Sequence, residues 1–573
     1  MLEIQNNYLL YLTEIQQELE KLLLPKEVKK SLNIEILGEA LNEAELLIPV
    51  VGAFSAGKSS LLNSFLNQSC LPVGITPETA LATELRYSDD EYIEAITRDG
   101  SSDRYAINEM EQITAKAKDY KFLRIYLNNS NLIGIEPLVL VDMPGFNSPL
   151  DLHNQAISEY LNKGTHYIVL TSVEDGNITR SLARQLTGIK NYGRGFSFFL
   201  SKTNLRSESE VREISERIEE QLNEYFDITR KVVAIDNNGG ISLNAILKEI
   251  NPDILFHNLF SDDLKESYYK ISETINTSIT SLRKGKEANE DEILELQSGL
   301  EKIIKKRDEM LEEATQKYSS VNIGKIVNAV GNDLSNSLDE LVVAALSGGD
   351  GAFSQKISEI TRLSLINEVR DAMDTIGQNI INDFSIDLSN FSSMNVSEEW
   401  LQKTTESIKI LFNKTQSGLG SILAKRNESG NNGSLYKVVS TVLAVTTTVI
   451  APILEVLIIF LPDMISSIFS GIQKRKQEEK LRKMILEQII PSIKRELRGK
   501  LPIVFNEQIQ HLIDNISGEF EKKLQDKKNA IAAIEEEKKN HIVNVESEII
   551  KYNMALERIN SLASRVVFSK VSM

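Results

Sequence analysis

Two hydrophobic rhythms divide the chain. From Leu46 to Ile235, short β-rich apolar runs (LLIPVVG, PLVLVDMPG, HYIVLTSV, GFSFFLSK and KVVAID) are separated by stretches of helical spacing. Strand–helix alternation of this kind predicts an α/β fold: a mostly parallel sheet with helices on both faces. Beyond about Asn251 the chain becomes long Glu/Lys/Ile/Leu stretches with few prolines. There Ile293, Leu296, Leu300, Ile303 and Met310 recur at helical steps, as do Ile542, Val545, Ile549, Tyr552, Leu556 and Ile559. Ile4, Tyr8, Leu12, Ile15, Leu19 and Leu22 repeat the pattern at the N-terminus. Such stripes bury one helix face against partner helices.

The economical arrangement is a long α-helical bundle stalk built from both chain ends; several unrelated helical domains are the alternative. The expected division is residues 1–45 for an N-terminal helix joining a helical neck and 46–250 for the α/β domain. Residues 251–436 form neck and stalk, 437–472 an apolar tip, and 473–573 the returning helices. Two glycine-rich breaks, Ser347–Gly351 and Ser429–Ser434, read as turns or linkers.

Charge and composition then remove whole classes of chemistry. With 64 Lys+Arg against 82 Asp+Glu the net charge is −18, so the overall positive field that nucleic-acid binding needs is missing. Cys70 is the single cysteine, which excludes an intrachain disulfide. The five histidines are scattered, giving zinc chemistry no support. The N-terminus lacks a basic start and a continuous apolar core; it reads as an amphipathic helix rather than a signal peptide, and a cytoplasmic location is expected.

Against this background one motif stands out. Gly52-Ala-Phe-Ser-Ala-Gly57-Lys58-Ser59 matches G-x-x-x-x-G-K-[ST] in full, after an apolar strand and before a helical pattern. Glycines let the backbone N–H groups wrap a phosphate, Lys58 bridges β- and γ-phosphates, and the Ser59 hydroxyl is placed for Mg²⁺. Downstream, LVLVD followed by Met-Pro-Gly is a buried strand ending in Asp142, a carboxylate able to hold Mg²⁺ directly or through water; Gly145 offers an unhindered N–H to a γ-phosphate. Between them, Thr76, Thr79 and Thr83 compete for a switch role that spacing does not assign. The strand GFSFFL ends in Ser201-Lys202-Thr203-Asn204, the shape of the [NT]-K-x-D base-reading motif of GTPases, with Ser in its first place and Asn where Asp is expected. Asn offers one uncharged acceptor oxygen in place of a bidentate carboxylate, so guanine discrimination weakens by roughly 2–3 kcal/mol.

With these four elements the chain resembles the bacterial dynamin-like proteins, within the dynamin and mitofusin superfamily of large GTPases. GAFSAGKSSLLN looks like the family's first motif, and LPVGITPETALATEL resembles its switch segment, which favours Thr79. The resemblance implies a P-loop GTPase domain. It implies that Gly52, Ser55, Ala56, Gly57, Lys58, Ser59, Ser60, Gly145, Lys202 and Asn204 bind GTP, that Ser59, Thr79 and Asp142 hold Mg²⁺, and that Ser55, Lys58 and Thr79 serve catalysis. It further implies K⁺ or Na⁺ near Ser55 in place of an arginine finger, a homodimer through the nucleotide face, and, for a scaffold with little turnover, a second dynamin-like protein as partner. Arg180 and Arg184 remain finger candidates that sequence does not judge. A coiled-coil ATPase of the DNA-organising type fits poorly.

The last feature is Val438–Leu461, apolar except for a few hydroxyls and Glu455. As a straight helix it would reach about 36 Å, enough to cross a hydrocarbon core of about 30 Å. Pro452 and Glu455 argue for a kinked or hairpin insertion instead, with Val449, Ile450, Leu454, Leu457, Ile458, Phe460 and Leu461 as the tip. Gln473–Lys500 carries ten Lys/Arg against four Asp/Glu, a basic flank attractive to an anionic lipid membrane. A buried central helix and a true transmembrane anchor are the competing readings; peripheral membrane association is the expectation.

Overall fold

The computed structural model describes residues 2–53, 55–72, 81–97, 99–145, 164–179, 182–183, 186, 189, 194–226, 228–389, 398–416, 474–540 and 544–569. Thr76, Thr79, Arg180, Arg184, the tip residues Val449, Ile450, Leu454, Leu457, Ile458, Phe460 and Leu461, and the Ser429–Ser434 break lie outside the described residues.

Among the described residues, nine strands form one sheet: β1 Leu46–Gly52, β2 Thr83–Tyr87, β3 Tyr92–Thr97, β4 Ser102–Tyr105, β5 Tyr120–Leu127, β6 Leu138–Asp142, β7 His166–Ser172, β8 Gly195–Ser201 and β9 Val233–Ala234. Their order is β4-β3-β5-β2-β6-β1-β7-β8-β9. From β6 to β9 every pairing is parallel. β2 enters antiparallel to β6, β5 lies parallel to β2, and β3 and β4 complete that side antiparallel. All five apolar runs singled out above contain strands. β2 to β5 escaped because charged and aromatic residues alternate along them (TELRY, YIEAIT, YKFLRIYL), leaving one face half-buried.

Successive β1 residues face opposite sides, as a strand's two-residue period requires. Leu47 and Val51 join Tyr167, Phe198, Ile218 and Leu222 in one core. Ile48 and Val50 join Leu61, Leu62 and Phe65 of helix α4 (Lys58–Leu66) in the other. That second core continues into the chain's ends. It takes in Tyr8, Leu12 and Ile15 of α1 (Glu3–Glu20), Phe256 and Phe260 of α9 (Pro252–Arg283), and Tyr552 and Ile559 of α16 (Val545–Val566). Arg558 of α16 pairs with Glu14 of α1 at 3.2 Å, so helices from both termini pack together beside the sheet. Val545 departs from the expected stripe: it is exposed, and Glu548 takes the buried place in its turn.

A separate core fills the stalk, from Leu296 and Ile303 of α10 (Lys286–Ala314) to Phe505, Ile509 and Phe520 of α15 (Ile490–Asn540). Helix α12 runs unbroken from Leu338 to Ser389, straight through the Ser347–Gly351 stretch expected to be a turn. Leu341 and Val342 before that stretch, and Phe353, Ile357 and Ile360 after it, are buried in the same core. Their packing outweighs a helix penalty of about 1 kcal/mol per glycine. Among the described residues, no helix is long and apolar enough to cross a membrane.

Candidate functional site

The loop Ala53–Gly57 joins the end of β1 to the start of α4 at the carboxyl edge of the parallel strands, where open α/β sheets place their ligands. Gly57 adopts φ +89°, a conformation that side chains resist, and Ser55 also turns left-handed at φ +62°. The Lys58 ammonium folds back over the loop, donating to the Gly52 carbonyl at 3.2 Å and the Ala53 carbonyl at 3.1 Å. Burial lowers its pKa to about 8, against the opposing pull of the Asp142 carboxylate.

Asp142, at the end of β6, lies across from it. The Ser59 hydroxyl donates to Asp142 Oδ2 at 2.7 Å. Oδ1 is buried and has no hydrogen-bond partner among the described residues. Burial raises this carboxyl to about 6, while the Ser59 hydrogen bond and Lys58 pull it down. A hydroxyl beside a buried carboxylate with an unused oxygen is a hard-oxygen donor set that suits Mg²⁺ better than a softer metal. Gly145 is buried just beyond. Thr83 sits opposite Asp142 in the β2–β6 register, but its hydroxyl reaches Leu81 O at 3.4 Å. It serves the strand, and the choice between Thr76 and Thr79 falls outside the described residues.

Ser201, in sequence only a departure from the base-reading pattern, has a clear structural place. Its hydroxyl lies 2.6 Å from the Ala56 carbonyl and 3.1 Å from Thr171 O; its one proton goes to the nearer, tying the end of β8 to the phosphate loop. The following Lys202 is left-handed at φ +57°, and its ammonium pairs with Glu174 at 2.6 Å. Asn204 is exposed within the short turn Thr203–Leu205. Ser55 and Ser60 are likewise exposed, while Gly52 and Ala56 are buried. Gly52, Ala56, Gly57, Lys58, Ser59, Asp142 and Ser201 thus come together around one loop, with Lys202 and Asn204 on its flank.

Residues 48–203 match the Dynamin family. Over that segment the chain is similar to the Dynamin family. Dynamin-like protein 2 of Campylobacter jejuni subsp. jejuni serotype O:23/36 (strain 81-176) is 35% identical over 101 residues, covering 18% of this chain and 17% of that one. An uncharacterized protein of Caldicellulosiruptor sp. (strain Rt8B.4) is 25% identical over 347 residues, 57% of this chain and 84% of that protein. A solved chain from an oligomerised bacterial dynamin pair, described as sensing and tethering membranes at long range, is 16% identical with a TM-score of 0.37. That match covers 99% of this chain and 82% of the other. The match to the named Campylobacter relative thus spans about a sixth of that protein's length.

Proposed function

We propose that this protein is a dynamin-like GTPase that binds and hydrolyses GTP in residues 46–250, dimerises through its nucleotide face, and remodels membranes through a helical stalk. One observation carries the reading. Around the phosphate loop, a buried ammonium rests on backbone carbonyls and a buried carboxylate keeps one oxygen without a donor among the described residues, both at the sheet edge where the motif calls for a nucleotide. A triphosphate with Mg²⁺ would supply an in-line phosphoryl centre whose charge is shared by metal and protein.

The chain's own groups then have defined tasks. Lys58 offers its ammonium to anionic oxygens, and exchanging neutral carbonyls for anions restores the charge that burial disfavours. Ser59 and Asp142 would hold the metal, and the loop N–H groups together with Gly145 would orient the phosphates. Thr79 would position water, and Ser55 would stand beside a K⁺ or Na⁺ ion. The stalk is residues 251–436 with 473–573 returning, joined at the neck by 1–45. The tip, residues 437–472, enters an anionic lipid leaflet through Leu457, Ile458 and their apolar neighbours, with the protein peripheral to the membrane. Asn204 favours one second reading, a nucleotide-dependent scaffold with little turnover that works with another dynamin-like protein.

Phosphate release measured with liposomes and potassium, for the protein alone and with a partner, separates the two. Turnover alone supports the first reading; turnover only with a partner supports the second. Failure of Lys58→Ala to weaken nucleotide binding would remove the site assignment.

A further inference from the structure

The base-reading segment lacks a carboxylate at Asn204, yet one stands beside it. β9 runs parallel to β8, pairing Phe199 with Val233 and Leu200 with Ala234. The alignment continues past the strands: Ile235 N–H donates to Leu200 O at 2.8 Å and Thr203 N–H donates to Ile235 O at 3.2 Å. Asp236, the next residue, therefore emerges alongside Lys202–Asn204. It is exposed, and its Oδ1 accepts the Asn238 N–H at 2.8 Å, which fixes the turn.

This turn is bolted to the phosphate loop's own helix. Gly240 N–H donates to Ser64 Oγ of α4 at 3.0 Å, and a Cβ on Gly240 would run into the backbone of Ser64 and Phe65. Ser201 meanwhile anchors the other side of the segment to Ala56 O. Asp236, Lys202 and Asn204 are thus held in one frame with the residues that would grip the phosphates.

The chemistry of the two side chains differs. Guanine presents two donors on its Watson–Crick edge, N1–H and the 2-amino group, and a carboxylate accepts both. An amide such as Asn204 offers one acceptor and one donor, a pattern that suits adenine equally well. We propose that Asp236 supplies the carboxylate that selects guanine in this protein, with Asn204 as its neutral neighbour. The assignment rests on the nucleotide-binding reading above.

Calorimetric titration of the full chain with GDP, IDP and ADP in Mg²⁺ tests it. IDP lacks the 2-amino group, so it reports on the second hydrogen bond. The wild-type protein is expected to favour GDP over both by about tenfold or more. Asp236→Asn, which keeps an acceptor for the Asn238 N–H, is expected to lose most of both preferences while ADP affinity stays level. In an Asn204→Asp background the same substitution should cost much less, because a second carboxylate is then present. That background also keeps the test open should Asp236→Asn alone unfold. Unchanged GDP:IDP and GDP:ADP ratios in Asp236→Asn overturn the assignment and leave the nucleotide site standing. An ADP preference in the wild type overturns it in favour of Asn204. Wild-type protein that binds none of the three removes the nucleotide reading itself.

Discussion

Head and stalk both bury charge, and they do so in opposite ways. In the stalk, Glu292 of α10 is 3% exposed and sits between Lys284 at 2.6 Å and Lys527 of α15 at 3.5 Å. Nearby, Asn289 donates to Ser281 O at 2.8 Å, and Lys538 reaches Lys284 O at 2.9 Å and Glu535 at 2.7 Å. The Glu292 charge is answered by both lysines, while Asn289 Oδ1 beside it is buried without a hydrogen-bond partner among the described residues. In the head, Lys58 rests on carbonyls, and Asp142 keeps a buried oxygen without a donor among the described residues. A buried charge met by opposite charges helps hold helices together; a buried carboxylate without such a donor, beside a phosphate-loop motif, is the place for a cation to arrive.

The largest effect expected from this contrast lies in the stalk. Glu292→Ala leaves two lysines around a site built for an acid, one of them, Lys527, almost wholly buried. Removing one partner of a buried pair costs about 3–5 kcal/mol. Urea unfolding should show that loss, with nucleotide affinity within about twofold of wild type after correction for the folded fraction. A Glu292→Ala protein as stable as wild type would mean the network is ornamental.

Lys58→Ala should behave the other way round. Affinity for GTP with Mg²⁺ should fall about 100-fold, roughly 3 kcal/mol, in calorimetry. Stability should hardly change or rise slightly, because burial already works against the charged amine, as its lowered pKa records. Saturating nucleotide should raise the melting temperature of wild type and leave that of the variant in place. A variant that melts early and still binds would reverse the roles assigned to the two regions.

The same contrast explains what could be read from the chain beforehand. Gly52–Ser59 and Asp142 could be singled out beforehand because the motif fixes residue types at fixed spacing, and the structure places the Ser59 hydroxyl within hydrogen-bonding range of Asp142. The stalk was legible only as a period. Leu296, Leu300 and Ile303 announce a buried face, but nothing in a single sequence says that Glu292 will meet Lys527, which is far away in the chain and on a different helix. Ser347–Gly351 misled because glycine propensity is local, whereas the core around Phe353 and Leu341 is not. Ser201 and Asp236 were missed for a related reason: their meaning depends on which backbone lies beside them, Ala56 in one case and Thr203 in the other.

His166, at the start of β7, gives a smaller effect with a definite sign. It is 8% exposed, its Nε2 lies 3.0 Å from Ser197 Oγ, and burial, followed by the Arg230 charge, lowers its pKa to about 4. In the unfolded chain the ring titrates near 6.5. Between those values the unfolded state takes up a proton that the folded state refuses, so stability falls as pH drops from about 6.5 toward about 4. Between pH 7.5 and 4.5, wild type should lose about 2–3 kcal/mol more than His166→Asn. Equal losses in the two proteins would place the ring in a wetter setting than the fold gives it.

The smallest effect belongs to the closed link inside the otherwise open head. Ser201→Ala removes one hydroxyl between β8 and the phosphate loop and leaves the Ala56 carbonyl without that donor. An ordinary buried hydrogen bond is worth about 1 kcal/mol, so the melting midpoint should drop by only a few degrees. The informative reading is the ratio of GDP to inorganic pyrophosphate affinity. If the hydroxyl only staples strand to loop, both ligands weaken together, because both need the loop in place. If it instead sets where the base-side segment lies relative to the phosphates, GDP weakens by several-fold and pyrophosphate does not. Equal affinities for wild type and variant would show that the loop holds its shape from Gly57 and Lys58 alone, and the line between open and closed networks would then run between two atoms of the same site.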